Sequence, residues 1–158
     1  MLDAHMTSMF GSSKDQLAAT TMKQTVSEHP MALIVDDEEP VRRFVERVLR
    51  EAGYQTSMAG DGPEAIEEAQ KLGAFDVLVT DVMMPQMSGD ELARRLRQAD
   101  PSLKVLYLTG YSDRLFKEKV TLWEDEAFLD KPCSVKGLTQ AVALLLFGRF
   151  VTPTPPLA

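Results

Sequence analysis

The sequence predicts an α/β fold, a parallel sheet with helices on both faces. Three observations carry that prediction. Short apolar runs alternate five times with helically spaced apolar residues, and the runs start near positions 32, 55, 75, 104 and 127. Two of them, Ala32-Leu33-Ile34-Val35 and Leu78-Val79-Thr80, are continuous rather than alternating, as in strands covered on both faces. Four of the runs lead into polar residues at their carboxyl ends, Asp36, Asp81, Thr109 and, just past Asp130, Lys131. In an open α/β sheet the functional crevice lies beyond the carboxyl ends of the strands.

Taken in order, residues 1–30 are rich in Ser, Thr, Met and Gln and poor in large apolar side chains. They read as a mobile leader with a frayed helix over Ser13–Val26, where Ser13 and Gln16 stand at capping-box spacing. A domain is expected over 31–148. Its first strand, Ala32 to Val35, runs into Asp36-Asp37-Glu38-Glu39 and then Pro40. Asp37 or Glu38 caps a helix with Pro40 in its first turn and Val41, Phe44, Val45, Val48 and Leu49 at helical spacing. Gly53 closes that helix. Gln55 to Ala59 is a weaker strand.

Gly60-Asp61-Gly62-Pro63 is a turn into a second helix with Ala65, Ile66, Ala69 and Leu72 as its stripe and Gly73 at its end. Phe75 to Thr80 is the third strand, followed at once by Asp81 and, past Met83-Met84, by Pro85. A helix is expected over Gly89 to Ala99, with Leu92, Ala93 and Leu96 inward and Arg94, Arg95 and Arg97 mostly outward. Lys104 to Thr109 is the fourth strand, Ser112 to about Leu122 a modest helix, and Ala127 to Asp130 the fifth strand. Ser134 caps a last helix reaching Phe147, stopped by Gly148. Residues 149–158 read as a flexible, Pro-rich tail.

The strand ends thus gather Asp36, Asp37, Asp81, Thr109 and Lys131 on one edge. Three carboxylates side by side repel and raise one another's pKa. A hard divalent cation relieves this, and Mg²⁺ favours a few carboxylates plus water. A metal beside a carboxylate, with one ammonium and one hydroxyl close by, suits phosphoryl transfer onto that carboxylate.

These residues carry a resemblance. Over roughly Ala32 to Phe147 the chain resembles the receiver domain of two-component response regulators. The resemblance rests on Asp36-Asp37, on Asp81 with Pro85 and Gly89, on Thr109 and on Lys131-Pro132. The intervals are 44 residues from Asp37 to Asp81, 28 from there to Thr109 and 22 more to Lys131. Leu108-Thr109-Gly110-Tyr111 is most similar to receivers of hybrid histidine kinases.

The resemblance implies a flavodoxin-like, doubly wound five-stranded sheet of order 2-1-3-4-5 with five helices. It implies that Asp81 accepts a phosphoryl group from a histidine kinase or histidine phosphotransfer protein. Asp37, Asp81 and the Met83 carbonyl would hold Mg²⁺, with Asp36 acting through a metal-bound water. Lys131 would pair with Asp81, and Thr109 would swing onto the phosphoryl group. Phe128 matches the aromatic position that switches rotamer with that hydroxyl, and plain core packing is its alternative. The Lys131–Pro132 bond is expected to be cis. Met83 and Tyr111 match the positions flanking the path of hydrolytic water, and as a pair they predict slow self-dephosphorylation. Cys133 stands where an aromatic residue often follows Lys-Pro; a small buried filler is favoured over a reactive thiol.

Composition narrows the remaining classes. The 158 residues carry 24 Asp and Glu against 17 Lys and Arg, a net charge of −7, which argues against non-specific binding to nucleic acid or anionic membranes. A single Cys excludes a disulfide framework. No apolar run has the ~18 residues of a membrane span, and no secretion signal opens the chain, so a cytoplasmic protein is expected. With no output domain after Phe147, the expectation is a single-domain regulator whose output is a protein contact or onward phosphotransfer. Its partner surface, also the face for any homodimer, would be formed by helix 112–122, strand 127–130 and the last helix. Three alternatives stand beside this reading. One is the excised receiver of a hybrid kinase, and another a pseudo-receiver that binds without phosphorylation. The third is an enzyme of the related haloacid-dehalogenase type, which also uses an Asp nucleophile and Mg²⁺ but would want a second Asp at position 83, where this chain has Met.

Overall fold

The computed structural model describes residues 29–110 and 125–148. Strands β1 (Met31–Val35), β2 (Gln55–Ala59), β3 (Val77–Asp81), β4 (Lys104–Thr109) and β5 (Glu126–Asp130) form one sheet in the order β2-β1-β3-β4-β5. Every pairing is parallel. The described helices are α1 (Glu39–Glu51), α2 (Gly62–Leu72), α3 (Gly89–Leu96) and α4 (Val135–Phe147). The sheet order is the one expected from the sequence. The expected helix 112–122, the leader with its helix over 13–26, and the tail 149–158 lie outside the described residues.

Alternation along the strands sorts the core into two layers. On one face Ala32, Ile34, Val77, Val79, Leu106 and Leu108 pack with Val45 and Leu49 of α1 and Leu138 and Val142 of α4. On the other, Leu33, Val35, Leu78, Val105 and Tyr107 pack with Ala65 of α2 and with Leu92 and Leu96 of α3. The central strands are buried on both sides, which explains their unbroken apolar runs. Each fully buried Leu or Ile side chain contributes about 1.5–3 kcal/mol of burial.

Local signals set the helix ends. Asp61 Oδ1 accepts from the Glu64 N–H at the start of α2, and Ser134 Oγ accepts from the Gly137 N–H at the start of α4. Gly148, at φ 70°, ends α4 in the left-handed conformation with its N–H on the Leu144 carbonyl. Glu38 occupies the capping position of α1 without a side-chain bond; Asp36 Oδ1 takes the Glu38 N–H instead, at 2.9 Å.

Several boundaries differ from the sequence reading. β1 begins one residue earlier, at Met31. β3 runs from Val77 and includes Asp81, so the acid is held by the strand and not by the loop beyond it. β5 begins one residue earlier, at Glu126. α3 stops at Leu96 instead of Ala99, because Arg97 turns inward rather than outward. Its guanidinium donates to the Leu103 carbonyl and meets Glu126 Oε1 at 2.6 Å, with side chains 10% and 0% exposed. The last turn then tightens through i→i+3 bonds from Gln98 and Ala99.

Candidate functional site

The sheet order reverses between β1 and β3, which opens a crevice at the carboxyl ends of these strands. Asp36 follows the last residue of β1 and is 1% exposed; Asp81 closes β3 and is 6% exposed. Asp37 is exposed at the rim. Carboxylate oxygens of Asp36, Asp37 and Asp81 all lie within 4.8 Å of one another. From the far side Lys131, just past β5, brings its ammonium to 2.9 Å from Asp36 Oδ2 and 3.4 Å from Asp81 Oδ1. Lys131 is placed by a backbone bond from its N–H to the Thr109 carbonyl, 2.7 Å, and the Lys131–Pro132 peptide bond is cis.

Charge dominates this cluster. Burial pushes the Asp81 carboxyl up to about 6; Lys131 opposes the rise, and Asp36 and Asp37 add to it. Burial pulls against the charged form of Lys131, but its hydrogen bonds and charge contacts with Asp36 and Asp81 outweigh this and hold its pKa above the ordinary lysine value. Three carboxylates facing one ammonium leave a surplus of negative charge. Asp36 Oδ2 is buried and, apart from the nearby ammonium, has no aligned hydrogen-bond donor among the described residues. A set of three clustered carboxylates with an oxygen still short of donors fits a hard divalent cation such as Mg²⁺.

The loop after β3 is shaped to leave Asp81 at the crevice. Val82 N–H bonds the Leu108 carbonyl at 3.2 Å and Gly89 N–H returns to the Val82 carbonyl at 2.8 Å. The Thr80 hydroxyl donates to the Asp81 carbonyl. Gln86 takes a positive φ of 70°, an uncommon conformation for a side chain of its kind. Met83, two residues past Asp81, is 69% exposed.

Thr109 ends β4, buried, and its hydroxyl donates to Asp130 Oδ1 at 2.9 Å. Phe128 stacks on Tyr107, with ring centroids 5.1 Å apart and planes at 19°, so its ring packs against the α2/α3 layer. Among the described residues, nothing lies within 4 Å of where a side chain on Gly110 would start. Cys133 packs against the α1/α4 layer, and burial raises its thiol pKa, as suits a filler. Tyr111 lies outside the described residues.

The structure therefore brings together Asp36, Asp37, Asp81 and Lys131, and turns Thr109 toward Asp130. Two features escaped sequence reading. Asp130 was visible only as a strand end; its signal was its place beside Thr109 as the last residue of a neighbouring parallel strand. The Arg97–Glu126 pair, 29 residues apart, had no local signal.

Similarity to known proteins points to one family. The sequence model of the response regulator receiver domain matches residues 32–143. The response regulator receiver protein CpdR of Brucella abortus is 33% identical over 116 residues, 73% of this chain and 96% of that protein. Sensor kinase CckA of the same organism is 37% identical over 115 residues, which is 72% of this chain but only 12% of the kinase. The crystal structure of the receiver domain from hybrid histidine kinase CckA superposes with a TM-score of 0.62 at 32% identity, covering 73% of this chain and 98% of that one. No helix among the described residues is long and apolar enough to cross a membrane.

Proposed function

This chain belongs to the response regulator receiver domain family, a family of signalling modules, and on that premise we propose that it takes a phosphoryl group onto Asp81 from a phosphohistidine donor. The observation that carries the proposal is the placement of Asp81, a buried carboxylate at the crevice between two further acids and one lysine.

The chemistry follows from those positions. One Asp81 oxygen attacks phosphorus in line with the bond to the donor imidazole. The new O–P bond forms as the N–P bond breaks, and the imidazole leaves with the electron pair and takes up a proton. Asp81 must be ionised for this; with a pKa near 6 it is mostly so at neutral pH. Lys131 neutralises charge on the transferred group, moving from Asp36 toward the phosphoryl oxygens. Asp37, Asp81 and the Met83 carbonyl would hold Mg²⁺, with Asp36 acting through a bound water, and the ion would supply charge neutralisation on the phosphoryl oxygens. Thr109 then leaves its resting partner to bond the phosphoryl group, and Phe128 changes its packing with it.

The output is a protein contact on the face that includes β5 and α4, used by a downstream partner or a second copy. The chain spans nearly all of CpdR and a small part of CckA. A free-standing relay protein accords with the first and the receiver of a longer kinase with the second, and Asp81 has the same role in both.

The test is labelling with acetyl phosphate, followed by intact-mass measurement. Wild type should gain one phosphoryl group in Mg²⁺ and none in EDTA. Asp81→Asn should gain none, because an amide is not a nucleophile here. Equal labelling of Asp81→Asn would overturn the assignment.

A further inference from the structure

Thr109 and Asp130 are register partners at the carboxyl ends of β4 and β5. The Thr109 hydroxyl is buried with its strand, and its one proton is given to Asp130 Oδ1 at 2.9 Å. Asp130 itself is exposed and is followed directly by Lys131, whose ammonium is drawn to Asp36. A threonine hydroxyl has a single proton to donate. While Asp130 accepts it, the hydroxyl cannot donate to a phosphoryl oxygen on Asp81. A bond to a carboxylate is also stronger than one between neutral groups.

We propose that Asp130 is a positioning residue that latches Thr109 in the resting state, so that phosphorylation must displace a carboxylate before the switch can close. The inference rests on the phosphoacceptor reading of Asp81 and adds to it a second carboxylate that sets the threshold of the switch. The latch acts on the equilibrium between two positions of one hydroxyl, so it lowers the apparent affinity of the phosphorylated geometry without touching the transferred group.

Beryllofluoride with Mg²⁺, read by the ¹⁹F signal of the bound form, probes that geometry on the full chain. Asp130→Ala should tighten beryllofluoride binding about fivefold, because the competing acceptor is gone. Asp130→Asn, which keeps an acceptor oxygen but loses the charge, should fall between it and wild type. The decisive arm is the Thr109→Ala background. Removing Asp130 also removes a negative charge near the site, and that effect would persist there, whereas the latch cannot. The inference predicts a change below about twofold in that background. In the absence of beryllofluoride, the Thr109 γ-methyl resonance of Asp130→Ala should move toward its position in the bound form, a shift that mere stabilisation of the strand end would not produce. Equal tightening in both backgrounds, or none in either, overturns the latch while leaving Asp81 as phosphoacceptor intact. A wild type that does not bind beryllofluoride overturns that reading and the latch together.

Discussion

Gly89 lies against the backbone of Asp81: a Cβ placed on Gly89 would sit 2.2 Å from the Asp81 carbonyl oxygen and 3.1 Å from Thr80 Cγ2. The first residue of α3 and the last of β3 are in contact because the Gly89 N–H closes the intervening loop on Val82. Gly89→Ala must therefore push α3 or the end of β3 aside. The expected cost is about 2–3 kcal/mol, seen as a lower urea midpoint, together with slower acetyl phosphate labelling. Unchanged stability and rate would mean the loop yields freely.

Asp81 makes stability depend on pH. Its folded carboxyl is raised from 3.8 to about 6, mainly by burial, so its contribution is fully present below about pH 4 and is lost as pH rises through about 6. Asp81→Asn removes that loss. In EDTA the variant should gain about 2–3 kcal/mol on wild type between pH 4 and pH 7, measured by urea unfolding across the range. Added Mg²⁺ should shrink the difference by stabilising the ionised wild type. A difference that is flat with pH would contradict the raised pKa.

The pair between Arg97 and Glu126 ties the end of α3 to the start of β5, and the Tyr107 hydroxyl also donates to Glu126. Arg97→Met removes a counter-charge 2.6 Å from a fully buried carboxylate, with an expected loss of about 3 kcal/mol in thermal or urea unfolding. Arg97→Met with Glu126→Leu should be more stable than Arg97→Met alone. A double variant as weak as the single would show that the arginine's bonds to the Leu103 carbonyl, and not the charge pair, carry the effect.

Met83, two residues past Asp81, is largely exposed and has no effective group to orient water. Slow loss of the phosphoryl group is expected, and Met83→Asn should speed it by roughly tenfold, a barrier change of about 1.4 kcal/mol. Release of phosphate after donor removal, at constant Mg²⁺, measures it. The contribution of Tyr111 is tested by adding Tyr111→Ala. If wild type releases phosphate as fast as both variants, these side chains are not the brake.

Leu144 and Phe147 are 40% and 44% exposed near the end of α4. If this face carries the output, phosphorylation should shift the chain toward a dimer or a partner complex, and Leu144→Glu should reverse the shift by at least tenfold in dissociation constant. Sedimentation with and without acetyl phosphate reads it directly. A chain that stays monomeric in both states, and whose partner binding ignores Leu144→Glu, would remove this face from the mechanism.

Much of the fold was legible in the sequence. Short unbroken apolar runs such as Ala32 to Val35, bounded by charged residues, read as strands covered on both sides, and stripes such as Val41, Val45, Val48 and Leu49 read as a helix face. Five such alternations imply a parallel sheet, and a parallel sheet aligns the ends of its strands. That is why Asp36, Asp81, Thr109 and Lys131 could be collected on one edge before any contact was known. The tertiary structure alone decided how those residues pair. Lys131 lies nearer Asp36 than Asp81, Thr109 gives its proton to Asp130, and Arg97 turns in to Glu126. The reason is physical. Periodicity records which face a residue takes within its own element, whereas a pairing depends on strand register and on which buried charge lacks a counter-charge. Those quantities arise only when elements distant in sequence are packed together.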